Sequence, residues 1–113
     1  MTMPATISVA ALAAAAVVGV LPAKSAPRSK VETSKVLIRS MTYAPIVLKV
    51  DVAQRVVWVN NDLVPHTVTA MDGSFKSDAI APGASWTLVP AKKGTFVYAC
   101  DFHPAMSATL IVK

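Results

Sequence analysis

The chain has 113 residues, enough for one domain and not two. Hydrophobic residues make up 54% and the formal charge is +5, but the apolar excess is local: 18 of the first 26 residues are apolar, and no charged side chain precedes Lys24. The remainder has the composition of an ordinary globular domain, which excludes a multidomain enzyme, a polytopic membrane protein and a disordered chain.

Residues 1–26 read as a secretory leader. The Ala/Val-rich stretch from Val9 to Leu21 has the length of a signal-peptide core rather than a membrane span. Pro22 breaks it, and Ala23-Lys24-Ser25 offers small residues for cleavage near Ser25 or Ala26. The extreme N-terminus lacks Lys and Arg, so an uncleaved anchor over residues 5–23 is the alternative. Either reading sends the domain across a membrane, into a bacterial periplasm. Residues 27–35 read as a flexible basic arm carrying Arg28, Lys30 and Lys35, and the domain proper as 36–113. Basic residues farther on are scattered, with no basic helix and no arginine cluster. That excludes nucleic acid as a partner and modestly favours an acidic redox protein.

From Val36 onward the predicted elements are strands. In chain order they are Val36–Ile38, Ile46–Val50, Arg55–Asn60, His66–Ala70, Trp86–Val89, Thr95–Cys100 and Ala108–Val112. Each is rich in Val, Ile, Thr or aromatics, and turn pairs such as Asp72-Gly73, Pro82-Gly83 and Lys93-Gly94 separate several of them. No window carries a sustained helical period. So many short strands without a helix predict an all-β fold, a Greek-key sandwich of seven to eight strands. Alternation along Thr95–Cys100 puts Phe96, Tyr98 and Cys100 on one face.

The chain holds two histidines and one cysteine. Taken singly, Cys100 reads as a core residue, Met106 as core filling, and each histidine as a hydrogen-bonded or surface side chain. Together they fit one task. Cys100, His103 and Met106 lie three residues apart on a seven-residue turn, and His66 supplies a second imidazole. Two His, one Cys and a weak axial Met are the composition of a blue-copper electron-transfer centre. Zinc would have little use for the thioether. A haem would need a C-x-x-C-H attachment, which is absent.

The C-x-x-H-x-x-M loop resembles that of the cupredoxins, the small type 1 copper proteins, and its short His-to-Met stretch is most similar to the amicyanins within the amicyanin and plastocyanin group. The resemblance covers about Met41 to Lys113. It includes Tyr43-Ala44-Pro45, Val56–Asn60, Pro65-His66-Thr67-Val68, Phe75-Lys76-Ser77-Asp78, Pro82-Gly83 and the run from Gly94 to Met106. It implies a single copper ion held by His66, Cys100, His103 and Met106. It implies that the Thr67 amide donates to the Cys100 sulfur and that Asn60 ties the two ligand loops together. His103-Pro104 lies on the connecting turn, which predicts an exposed His103 edge and an apolar docking patch of Met41, Leu63, Pro65, Pro104 and Ala105 around it. Two positions depart from the family: Ala53-Gln54 replaces a Gly-Asp/Glu turn, and Ala108 replaces a Gly, each at some cost in turn comfort.

The function implied is a monomeric, mobile one-electron carrier. Its redox partners would be periplasmic, such as an amine dehydrogenase, a c-type cytochrome or a terminal oxidase. A copper-binding or chaperone role is the alternative, but such proteins favour exposed Met- and His-rich ligands without a cysteine. An enzyme is not expected, because catalytic nitrite reduction or phenol oxidation needs further copper sites. Both histidines are already used.

Overall fold

The computed structural model describes residues 2–3 and 32–113. The expected leader, its cleavage site and the alternative anchor at 5–23 lie outside the described residues, Thr2 and Met3 excepted, as does most of the expected basic arm. The described domain is all-β. Its strands are β1 (Ser34–Arg39), β2 (Thr42–Ala44), β3 (Val47–Val50), β4 (Val56–Asn60), β5 (Thr69–Ala70), β6 (Ser85–Leu88), β7 (Gly94–Ala99) and β8 (Ser107–Val112). They form two four-stranded sheets, ordered β2-β1-β4-β6 and β3-β8-β7-β5. The chain passes repeatedly from one sheet to the other, and the parallel pairs β1/β4 and β3/β8 join strands distant in sequence.

Strand alternation builds the core. Val36 and Ile38 on β1, Val56, Trp58 and Asn60 on β4, Tyr98 on β7, and Ala108, Leu110 and Val112 on β8 all point inward and are buried. Trp58 sits at the centre, with its ring centroid 5.4 Å from Trp86 and 5.6 Å from Tyr98. Tyr43 adds an edge-on contact to Tyr98 at 4.8 Å. Such aromatic pairs contribute roughly 0.5–1.5 kcal/mol each beyond the area they bury.

Four local features differ from the sequence expectation. The first strand begins at Ser34, so the last two residues of the expected basic arm are paired, with Ser34 and Lys35 opposite Val56 and Val57. β2 was not expected. It closes a two-residue hairpin at Ser40-Met41, where both residues have positive φ, 51° and 59°. That geometry normally selects Asn-Gly, so Ser-Met carries no turn signal. The expected strand His66–Ala70 is regular only at Thr69–Ala70. His66 forms an isolated bridge with Ile80, while the Thr67 and Val68 amides donate to the side chains of Cys100 and Ser77 instead of a ladder. Finally, Ala53 sits at φ 69°, as a glycine replacement in a turn would, whereas Ala108 lies in the body of β8 opposite Tyr98 and meets no turn requirement.

β4 ends at Asn60 and leads through residues 61–65 to His66. β7 ends at Ala99 and delivers Cys100. The Ser40-Met41 turn closes over the same end, because β1 runs parallel to β4 with Ile38 opposite Asn60.

Candidate metal centre

Two successive four-residue turns, sharing His103, shape the Cys100–Met106 loop. The His103 amide donates to the Cys100 carbonyl (3.2 Å) and the Met106 amide to the His103 carbonyl (2.8 Å). The Cys100 amide then donates back to the Met106 carbonyl at 3.1 Å and closes the loop. A spacing of three therefore sets all three residues at the corners of one closed loop. Cys100 is 1% exposed and Met106 6%, while His103 is only half-buried.

His66 reaches this loop from the other ligand segment. It is fully buried, and its Nδ1 lies 3.7 Å from Cys100 Sγ. Its ring centroid is 5.6 Å from that of His103. The opposite ring atom, Nε2, lies 2.7 Å from Asp62 Oδ2. An ionised carboxylate only accepts, so the Asp62 contact calls for a proton on Nε2, and Nδ1 is the ring atom that faces the sulfur. Metal bonds of about 2.0 Å to imidazole and about 2.3 Å to thiolate, at a trigonal angle, hold their donor atoms about 3.7 Å apart. The donor set, two imidazoles, a thiol and a thioether with the last two buried from water, is chemically that of a blue-copper metal. The His66–Cys100 pair stands at the separation one ion would need, although no three of the described His, Cys, Asp and Glu side chains form a ready-made metal cluster.

Thr67 and Asn60 both stand beside these candidate ligands, with roles divided differently from expectation. The Thr67 amide donates to Cys100 Sγ at 3.4 Å, as expected. Its hydroxyl also accepts the Asp101 amide at 2.8 Å, so Thr67 is the residue that ties the two ligand segments. Asn60 instead organises the His66 side alone. Its Nδ2 donates to the Val64 and Ile80 carbonyls at 2.9 and 2.8 Å, and its Oδ1 accepts the Asp62 amide at 2.9 Å. The reason is geometric: both N–H groups are used within residues 64–80, and none is left for the Cys100 loop.

Asp62 was not singled out from sequence. An Asp four residues before a His is a familiar pair on a helix, but here the segment is a loop, where that spacing carries no periodic signal. Burial pushes the Asp62 carboxyl up, yet hydrogen bonds from the Met41 amide, the His66 ring and the Ser40 amide outweigh it and hold the group below its ordinary value.

Around the His103 edge, Met41, Phe102, Pro104 and Ala105 line a shallow depression floored by Met106. Leu63 is 95% exposed, and Val64 and Pro65 are exposed beside it. The expected patch residues thus lie on the surface in the two ligand segments and the Ser40-Met41 turn. Phe102, 52% exposed, was missed although its place between two ligands in a loop was legible.

A cupredoxin-like domain family matches residues 9–112, a longer span than Met41–Lys113. The amicyanin of Paracoccus denitrificans is 28% identical over 81 residues, covering 67% of this chain and 62% of that protein, so the chain matches only about three-fifths of that relative's length. Among solved structures, a purple cupredoxin from Nitrosopumilus maritimus aligns with a TM-score of 0.67 at 26% identity, over 71% of this chain and 99% of that one. The Cu(I) form of an amicyanin mutant aligns at 0.68 and 27% identity, over 72% and 82%. With the two mixed sheets and the C-x-x-H-x-x-M loop already in place, these similarities settle the family: the chain belongs to the cupredoxins.

Proposed function

We propose that the chain is a mobile one-electron carrier that binds a single copper ion through His66, Cys100, His103 and Met106. The observation that carries this reading is the approach of His66 Nδ1 to Cys100 Sγ with Nε2 tied away to Asp62. When bound, the copper supplies a one-electron couple between Cu(I) and Cu(II). The chain's own part is to hold the donors still. His66 is fixed at its far nitrogen, Cys100 Sγ accepts the Thr67 amide, and the Cys100–Met106 loop is closed by its own backbone bonds. Donors that move little between oxidation states favour fast transfer.

His103 is the ligand candidate nearest the surface, and the apolar ring of Met41, Leu63, Pro65, Phe102, Pro104 and Ala105 supports a docking surface around it. Transient electron-transfer encounters use small interfaces of this kind. The partners we propose are periplasmic redox proteins, such as an amine dehydrogenase, a c-type cytochrome or a terminal oxidase, with the leader supporting export. The order Cys100–His66–Asp62 is also that of a nucleophile, its base and an orienting carboxylate, but a sulfur 1% exposed meets no substrate. Burial of Cys100, His66 and Met106 equally disfavours a chaperone, which must release its ion.

Cyclic reduction and reoxidation of the copper-loaded protein tests the carrier role. A reversible one-electron couple with the metal retained over many cycles is expected. Loss of copper on each reduction would favour the chaperone reading instead.

A further inference from the structure

We propose that Asp62 is the positioning residue of the metal centre: its single carboxylate fixes the His66 ring for ligation and locks the Ser40-Met41 turn beside it. The proposal rests on the copper reading above for its electronic part, and on hydrogen-bond geometry alone for the rest.

Three donors converge on this carboxylate from two different segments. Oδ1 accepts the Ser40 amide at 2.6 Å, and Oδ2 accepts both the Met41 amide at 3.0 Å and His66 Nε2–H at 2.7 Å. The Asp62 side chain is 14% exposed and the His66 side chain 0%. The Ser40-Met41 turn holds two non-glycine residues at positive φ, a conformation that persists only when neighbours over-determine it. Two consecutive amides aimed at one carboxylate supply that constraint. Met41 in turn lines the depression beside His103. One side chain therefore couples a buried ligand to the wall of the docking surface.

The chemistry follows from what only a carboxylate provides. An asparagine has one acceptor oxygen, and its NH2 would face donors, so it cannot serve all three groups. A carboxylate on the far N–H of a ligating imidazole also sets the tautomer and makes the ring a better donor. A stronger nitrogen donor favours Cu(II) over Cu(I), so Asp62 lowers the reduction potential of the bound metal.

Two measurements test this. In the metal-free parent protein, nitrogen-detected NMR of the histidine rings should show His66 with its proton on Nε2. A proton on Nδ1, or averaging between the two nitrogens, overturns the proposal without reference to copper. In the copper-loaded Asp62→Asn protein, Cu(II) affinity should fall 10–100-fold. Cu(I) affinity should change less, and each tenfold difference raises the potential by about 59 mV. Asp62→Glu should recover part of both. A parent that binds copper with its thiolate colour, paired with an Asp62→Asn variant of unchanged potential and Cu(II) affinity, contradicts this inference and leaves the copper reading standing. A parent that binds no copper contradicts the copper reading, while the ring tautomer still decides whether Asp62 positions His66.

Discussion

Thr67 uses its amide, its carbonyl and its hydroxyl at the centre. The amide donates to Cys100 Sγ, the hydroxyl accepts the Asp101 amide, and the carbonyl accepts the Tyr43 hydroxyl at 2.5 Å. Thr67→Val keeps the shape and removes only the hydroxyl, leaving the part-buried Asp101 amide without its acceptor. The expected loss is about 1–2 kcal/mol in urea unfolding, with a red or blue shift of the thiolate–copper band as the two segments loosen. Tyr98 makes the opposite case. Its hydroxyl and Trp58 Nε1 are both buried without a hydrogen bond of normal geometry. Burial pushes the Tyr98 phenol up to about 12, which the nearby Trp58 N–H opposes only in part. The folded state therefore prefers the neutral phenol. This contribution is intact below pH 10.0 and is lost as pH rises toward about 12. Tyr98→Phe should be neutral or stabilising at pH 7, and its urea midpoint should fall less steeply above pH 10.0 than the parent's. Tyr43 is raised in the same direction by burial, so part of the alkaline loss remains in the variant. At this scale the four candidate donors could be named from the sequence because two imidazoles, a thiol and a thioether are scarce side chains at a telling spacing. Asp62 was not, because its partners come from a turn more than twenty residues away and only the fold brings them together.

The elements differ in how openly they declare themselves. β4, β7 and β8 alternate more buried apolar residues with more exposed ones and stand within one residue of where the sequence placed them. The β1–β2 hairpin does not, since Ser40-Met41 takes a left-handed turn without glycine or asparagine. β5 is shortened because the segment before it spends its amides on the side chains of Cys100 and Ser77, which a propensity for strand does not foresee. Ala53 gives a clean test of local strain. It is exposed, at φ 69°, and its amide donates to the Pro90 carbonyl at 2.8 Å. Left-handed backbone costs an L-residue about 1–2 kcal/mol, partly offset by the larger entropy of an unfolded glycine. Ala53→Gly should therefore stabilise the domain by roughly 0.5–1 kcal/mol in urea unfolding. A destabilised variant would mean that the turn is set by something other than this strain.

Across the whole molecule, a domain this small, with one cysteine and no disulfide, buries a modest core. A metal joining the His66 and Cys100–Met106 segments closes a long stretch of chain and is linked to folding. At a thousandfold excess over its dissociation constant, a bound ion adds about 4 kcal/mol, which raises the melting temperature by roughly 15 °C or more for a domain of this size. Calorimetry with and without copper measures it, and a melting temperature unmoved by copper would mean that the ion is not held by the folded centre. The sandwich class and its family were legible, because strand patterning and the C-x-x-H-x-x-M loop both reside in local sequence, while the β1–β2 hairpin was not. The division of labour between Thr67, Asn60 and Asp62 was not, because it depends on which backbone amides the closed fold leaves unpaired. The most direct test of the central claim is a Cu(II) titration followed by visible absorption, on the parent protein and on Cys100→Ser. One equivalent of copper should produce an intense thiolate-to-copper band in the parent and none in the variant. A colourless parent, or a variant that keeps the colour, would contradict the assignment of Cys100, and with it the metal centre.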